Sequence, residues 1–143
     1  MAKKTDKTPL RLNMIALADY LITGDDKKLS IIGIFDKIFV KELPATHRQM
    51  WLVMGIVGEP GAKEQMTMRV ISPSGGEELK TDMDITIGEN GKANVTVNFE
   101  GFPVKETGTY IISVSHGEDI IGSYTLDAIL VKEPTPDAKR IAN

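Results

Sequence analysis

The chain contains no cysteine. That absence removes disulfides, thiol catalysis and thiolate metal sites together, and it fits a reducing compartment. Histidine is nearly as scarce, represented by His47 and His116 alone. Aromatics make up 6% of the residues, which leaves little material for a stacking platform. No apolar run approaches the roughly 20 residues of a membrane span, because Asp19, Asp36 or a glycine breaks the longest ones. The charged start, Met1 to Pro9, is not followed by an apolar stretch with a cleavage site, so the chain reads as soluble and cytoplasmic, with no membrane partner. No phosphate-binding loop is present, since Gly75-Gly76 lacks the Lys-Ser/Thr and the helix that such a loop feeds. Nor is one sign of charge in excess. Seventeen basic and twenty acidic residues give a formal net charge of −3, which argues against a general nucleic-acid binder.

What is present is alternation with period two. Met66, Met68 and Val70 alternate with Thr67 and Arg69. Met83, Ile85 and Ile87 do the same with Asp84 and Thr86, and Val95, Val97 and Phe99 with Thr96 and Asn98. These are strands with one buried and one wet face. Turn chemistry punctuates them at Gly24-Asp25-Asp26, Pro60-Gly61, Pro73-Ser74-Gly75-Gly76, Asn90-Gly91 and His116-Gly117. Asn90-Gly91 is the strongest hairpin signal, expected as a type I′ turn with positive φ at both residues. Strands fall near 11–22, 29–40, 50–58, 65–72, 79–87, 93–100, 108–116 and 119–130, and only Glu42 to Gln49 could hold a helical turn. A length of 143 residues is one domain. We place it at 10–131, between a disordered lysine-rich tail at 1–9 and a second tail at 132–143 that carries Pro134 and Pro136.

Gly108-Thr109-Tyr110, followed by alternating apolar residues, resembles the tyrosine corner of immunoglobulin-like sandwiches. There the tyrosine hydroxyl bonds back to the chain at the turn into a late strand. The expected fold is all-β, an antiparallel immunoglobulin-like β-sandwich of about seven to eight strands. Tyr110 and Gly108 would form its corner, and Trp51 on the third strand would serve as its core tryptophan. A jelly roll or small barrel is the alternative. Eight strands joined only by hairpins would run the seventh parallel to the third, whereas the immunoglobulin arrangement needs those two antiparallel.

The first three strands break the alternation. Strand one carries Met14, Ala16, Ala18 and Tyr20 on one face and Ile15, Leu17 and Leu21 on the other. Strand two sets Ile31 and Phe35 against Ile32 and Ile34. A second apolar face must be covered, either by the tails and the 42–49 segment or by a partner. Taking Met14, Ala16, Ala18, Ile31 and Phe35 as the inner set puts Ile15, Leu17, Leu21, Ile32 and Ile34 outside as interface candidates.

Asp19 and Asp36 interrupt these strands. As an acidic pair they could serve a metal or acid–base chemistry, but no third ligand stands at a diagnostic spacing, which favours backbone-bonding or outward-pointing roles. His47 with Arg48 could bind an anion, though a loop histidine more often shapes its turn. A Ser/His/Asp set of Ser113 or Ser115, His116 and Asp119 can be written on paper, but one hairpin rarely supplies that geometry. We expect no catalytic residue, no metal and no cofactor.

Ala16-Leu17-Ala18-Asp19-Tyr20, Lys28 to Asp36, Pro44-Ala45-Thr46-His47 and Met50-Trp51-Leu52-Val53 together resemble a family of small, uncharacterised bacterial proteins of unknown function. Its members share an ADY strand, an IxGxFD strand and a PxxH loop before the third strand. The resemblance covers residues 14–57 and implies a fold but no activity. It marks Asp19, Gly33, Asp36, Pro44 and His47 as structural or interface positions. The function expected is therefore non-enzymatic: self-association, as a homo-oligomer, or binding to another protein. The alternative is a small-ligand or carbohydrate-binding module with a cleft near His47. It is disfavoured because the few aromatics fall mostly at core-phase positions.

Overall fold

The computed structural model describes residues 8–132, so most of both expected tails lies outside the described residues. Within that span are nine strands: β1 (Arg11–Thr23), β2 (Leu29–Phe35), β3 (Lys37–Val40), β4 (Ala45–Val57), β5 (Lys63–Ile71), β6 (Glu77–Thr86), β7 (Lys92–Val104), β8 (Gly108–His116) and β9 (Asp119–Leu130). They form a four-stranded sheet ordered β2-β1-β4-β7 and a five-stranded sheet ordered β3-β9-β8-β5-β6. Met50, Leu52, Met54 and Ile56 of β4 meet Met66, Met68, Ile112 and Val114 of the second sheet in one fully buried core. The fold is an immunoglobulin-like β-sandwich.

One strand more than expected appears because the 29–40 run is not continuous. It breaks at Asp36, where the chain leaves the first sheet and enters the second. β2 pairs antiparallel with β1, whereas β3 pairs parallel with β9 through Lys37↔Asp127 to Val40↔Leu130. The corner is pinned on both sides of the break. The Tyr124 hydroxyl donates to the Phe35 carbonyl at 2.6 Å, and the Asp127 amide donates to the Asp36 carbonyl at 2.9 Å. Burial, reinforced by the Asp36 charge, pushes the Tyr124 phenol up from its ordinary value and keeps it protonated as that donor. The segment expected to hold a helical turn ends in strand instead, because β4 already begins at Ala45.

The topological difficulty disappears with this assignment. The antiparallel partners of β8 within its sheet are β5 and β9, and β4 lies in the other sheet. The tyrosine corner stands at the start of β8. Tyr110 is 1% exposed. Its hydroxyl donates to the Glu106 carbonyl at 3.0 Å and accepts from the amides of Lys105 and Glu106 at 3.2 and 3.3 Å. Gly108, with φ +124, carries the chain into this corner, where a Cβ would stand 2.8 Å from the Pro73 side chain.

Three sequence expectations need correction. Trp51 is half-buried and pairs with Ala18, on the outward face; Met50 and Leu52 beside it fill the core. The β1 phase is the reverse of the one expected. Ile15 and Leu17 stand opposite Met54 and Leu52, whose side chains are in the core, so the odd residues point inward. Ala16, Ala18 and Tyr20 point outward, and Met14 is exposed beyond a register shift between Leu12 and Met14. Finally, Asn90-Gly91 is not a type I′ hairpin. Gly91 has φ +78 but Asn90 does not have positive φ. Gly91 donates its amide to the Gly88 carbonyl at 2.9 Å, and the Asn90 side chain accepts from the Lys92 amide at 3.1 Å. The turn joins β6 to β7, which belong to different sheets.

Two stability outcomes follow. Tyr110→Phe strips an acceptor from two amides and should cost about 1–3 kcal/mol in urea unfolding. Leu17→Ala should cost about 2–5 kcal/mol, since Leu17 is 0% exposed. An outward Leu17 would give almost no loss.

Candidate functional site

The β1–β4 ladder ends at Ala18↔Trp51. Beyond it β1 continues to Thr23 paired only with β2, while Ala45 to Gln49 of β4 pair only with β7. The first sheet thus forks into two ribbons, and the fork encloses an open cleft of about 510 Å³. Asp19 and Tyr20 form one wall, and Thr46, His47, Arg48 and Gln49 form the other.

Local sequence sets both walls. Gly33 lies across from Asp19 on β2 with φ +75, and a Cβ there would come 2.5 Å from the Asp19 carboxylate. Only glycine accepts both the left-handed backbone and the side chain lying over it. On the other wall the His47 ring packs against Phe35, with centroids 5.8 Å apart and planes tilted by 46°. Asp19, Gly33 with Phe35, and His47 come from the three short motifs that carry the family resemblance, and the fold brings them to one place. Asp36 is not among them, because it turns away with the chain into the second sheet. Pro44 immediately precedes β4.

Burial lowers the His47 pKa from the ordinary 6.5, and the Asp19 charge works against that shift without cancelling it. The cleft therefore presents a neutral imidazole at pH 7. Asp19 and Arg48 face the same cleft but form no ion pair with each other; the ion pairs among the described residues lie elsewhere. Of the six lining side chains, only Gln49 has a hydrogen-bonding partner among the described residues, donating to Asn98 at 3.3 Å. No three histidine or acidic side chains converge as a metal would require, again among the described residues.

The paper triad is not assembled. His116 Nε2 lies 3.0 Å from Glu64 Oε1, and the Ser115 hydroxyl donates to the Thr67 carbonyl while accepting from Arg69. The acidic loop at Asp25-Asp26 is also occupied locally, with Asp26 capping the Lys28 amide at 3.0 Å.

The interface candidates divide. Ile15 and Leu17 belong to the core side, and Leu21 has the same inward phase and is half-buried. Ile32 and Ile34 are exposed, and their partners Tyr20 and Ala18 lie on the same outward face. The second apolar face therefore exists with a different membership: Met14, Tyr20 and Ile22 on β1, Ile32 and Ile34 on β2, around Ala16, Ala18 and Val53. Tyr20 is 63% exposed, as is Ile34. The second sheet's outer face differs. There Thr67 and Asp82, Gln65 and Asp84, Arg69 and Glu77, and Thr109 and Asp127 pair across strands. The sequence reading missed Tyr20 and Gln49 as cleft residues. The signal for Tyr20 was the reversed phase of β1, which its pairing with β4 reveals and its own pattern does not.

A family model described as a family of unknown function (DUF6941) matches residues 13–129. The chain belongs to that family. No curated protein matches it. Among solved structures it is similar to the Pseudomonas fluorescens alkylpurine DNA glycosylase AlkC bound to DNA with an abasic site analog, at 8% identity and TM-score 0.52, covering 85% of this chain but only 31% of that one. The C-terminal domain of wzt matches at 11% identity and TM-score 0.52, with 85% of this chain and 74% of that one covered. A Bifidobacterium adolescentis GH3 beta-glucosidase matches at 12% identity and TM-score 0.51, over 95% of this chain and 21% of that one. At these identities the likeness shows the fold alone. In the glycosylase and the glucosidase the matched part is a minor share of the whole chain.

Two outcomes test the site's construction. Gly33→Ala should destabilise the protein by at least about 1–2 kcal/mol, the cost of a left-handed non-glycine residue. Asp19→Ala in the same chain should recover the steric part of that loss, which a thermodynamic cycle reads directly. The second outcome concerns pH. The folded His47 pKa lies below the unfolded value of 6.5, so the unfolded state takes up the proton first. Stability is then unaffected above that value and falls as pH drops through the window below it. An NMR titration should show His47 below its ordinary value, and Asp19→Asn should lower it further.

Proposed function

We propose that the protein is a non-enzymatic β-sandwich that self-associates through the outer face of its β2-β1-β4 layer. The observation that supports this is the contrast between its two outer faces. The second sheet carries polar and charged cross-strand pairs, with Phe39 and Ile129 exposed beside them on β3 and β9, whereas Met14, Tyr20, Ile22, Ile32 and Ile34 make the β1–β2 part of the first sheet apolar. A neutral apolar face is self-compatible, since a two-fold copy brings no like charges together. The rim is polar and charged, with Lys92, Asn94, Thr96, Asn98 and Glu100 of β7 on the same face as Val57, Gly55, Val53, Trp51 and Gln49.

Magnitudes set the expected strength. Each large apolar side chain contributes at most about 1.5–3 kcal/mol when fully buried. Five of them stand against an association cost of roughly 4–15 kcal/mol. The two are close, so the assembly should be a weak dimer that dissociates on dilution. Sedimentation equilibrium should show a concentration-dependent dimer. Ile34→Glu should shift it to monomer with little change in the melting temperature. Ile111→Glu, on the outer face of the second sheet, should leave it intact. A wild-type chain that stays monomeric at the highest soluble concentration would overturn the reading.

A further inference from the structure

Most of the chain's aromatics are buried or half-buried, which disfavours a small-ligand site, but Tyr20 and Phe39 are exposed. Tyr20 is exposed and stands on the wall of the fork between β1 and β4. We infer that this cleft binds a neutral, polyhydroxylated ligand of the saccharide class, held by Asp19, Thr46, Arg48 and Gln49 beside the Tyr20 ring.

The chemistry of the cleft lining selects that class. The cleft volume of about 510 Å³ falls inside the roughly 300–1,000 Å³ of small-molecule sites. Its lining combines a carboxylate that only accepts, a guanidinium that only donates, an amide and a hydroxyl that do both, and an aromatic ring. The two planar charged groups offer paired acceptors and paired donors, which match the adjacent hydroxyls of a sugar ring in a bidentate fashion. The formal charges of Asp19 and Arg48 balance, and the half-buried imidazole of His47 adds none at neutral pH. An anion would meet the Asp19 carboxylate, and a cation would meet Arg48.

A second observation points the same way. On the second sheet, Gln65 with Asp84, Thr67 with Asp82 and Thr109 with Asp127 satisfy one another across strands. Here Asp19, Tyr20, Thr46, His47 and Arg48 make no side-chain hydrogen bond to the described residues, although they share one cleft. Asp19 is fixed against Gly33 and His47 against Phe35, so the walls are held while their polar atoms stay unused. Tyr20, exposed on the outward side of β1 at the cleft, offers an aromatic ring for contact with the C–H surface of a sugar.

The test uses the full chain labelled with nitrogen-15 and titrated with methyl glucoside, methyl mannoside, N-acetylglucosamine and cellobiose. Inorganic phosphate, acetate and L-serine serve as comparison ligands. The expected result is saturable amide shifts at residues 19–20 and 46–49 with at least one saccharide in the millimolar range. Trp51, two residues from the cleft wall, should report the same binding by fluorescence. Arg48→Ala and Tyr20→Ala should each weaken it by about tenfold, the equivalent of one lost charge-assisted bond or ring contact. Gln49→Ala serves as a second variant should either fail to fold. Repeating the titration on Ile34→Glu separates this inference from the self-association reading, because binding should persist in a monomer. The inference is overturned if no saccharide gives a saturable shift. It is equally overturned if phosphate, acetate or serine binds as tightly as every saccharide, or if the variants leave binding unchanged.

Discussion

The fold depends on the break at Phe35–Asp36. There one apolar run is divided between two sheets, the first of the chain's crossings from one layer of the sandwich to the other. Ile31 and Phe35 of β2 turn toward the core from the first sheet, and Ile38 and Val40 of β3 do so from the second. The parallel β3–β9 pairing is possible only because the chain crosses between layers before it pairs. Two hydrogen bonds hold the crossing, from Tyr124 to Phe35 and from Asp127 to Asp36. Both donors belong to β9, so the closing strand of the domain also locks its earliest corner. The same crossing ends β2 at Phe35 and leaves that ring beside His47. The cleft wall is thus built on the corner that closes the sandwich.

The asymmetry of the two outer faces follows from what each sheet must do. The second sheet meets water through Thr67, Asp82, Arg69, Glu77, Thr109 and Asp127, whose cross-strand bonds are each worth a few tenths to one kcal/mol. Their value lies more in solubility than in stability, since exposed pairs contribute little. The first sheet carries nothing comparable between β1 and β2. Its edge strand β2 lacks the charged residues and prolines that usually guard an edge. The left-handed backbone at Gly33 is the one irregularity along it. That kink disfavours continuous edge-to-edge pairing, which leaves the flat face rather than the edge as the surface for a second copy.

How much of this was legible depends on how local the signal was. The tyrosine corner spans Glu106 to Tyr110 and closes within five residues, so its sequence carries the whole geometry. The alternation of β5 and β6 was equally clear, because one face of each is wet. β1 was not legible, since both its faces are apolar and its small residues, Ala16 and Ala18, suited an inner position as well as an outer one. The phase is decided by Leu52 and Met54 across the ladder, information that lies outside β1. Trp51 was misplaced for the same reason, as its neighbours Met50 and Leu52 are equally apolar. The Asn90-Gly91 turn was visible but its type was not, because a turn between sheets is free of the twist that a hairpin imposes. The corner at Asp36 was hidden in a run that reads as one long strand.

Asp19 shows why a motif residue resists a single label. Its carboxylate fills the space above Gly33, and replacing either residue disturbs the other. That is a structural role, and it explains an acidic residue in an apolar strand without invoking chemistry. Yet the packing fixes only one side of the carboxylate. The other side faces the fork, beside a guanidinium it does not neutralise and an imidazole whose charge it fails to restore. A purely structural acid in this position would gain by pairing with Arg48, and the strands are close enough to line one cleft. Asp19 and Arg48 instead both stay exposed without an ion pair between them, at a small cost in Coulomb energy at the surface. Opposite charges left unpaired across a gap suit the neutral polar ligand proposed for this cleft, since each keeps its hydrogen-bonding capacity free.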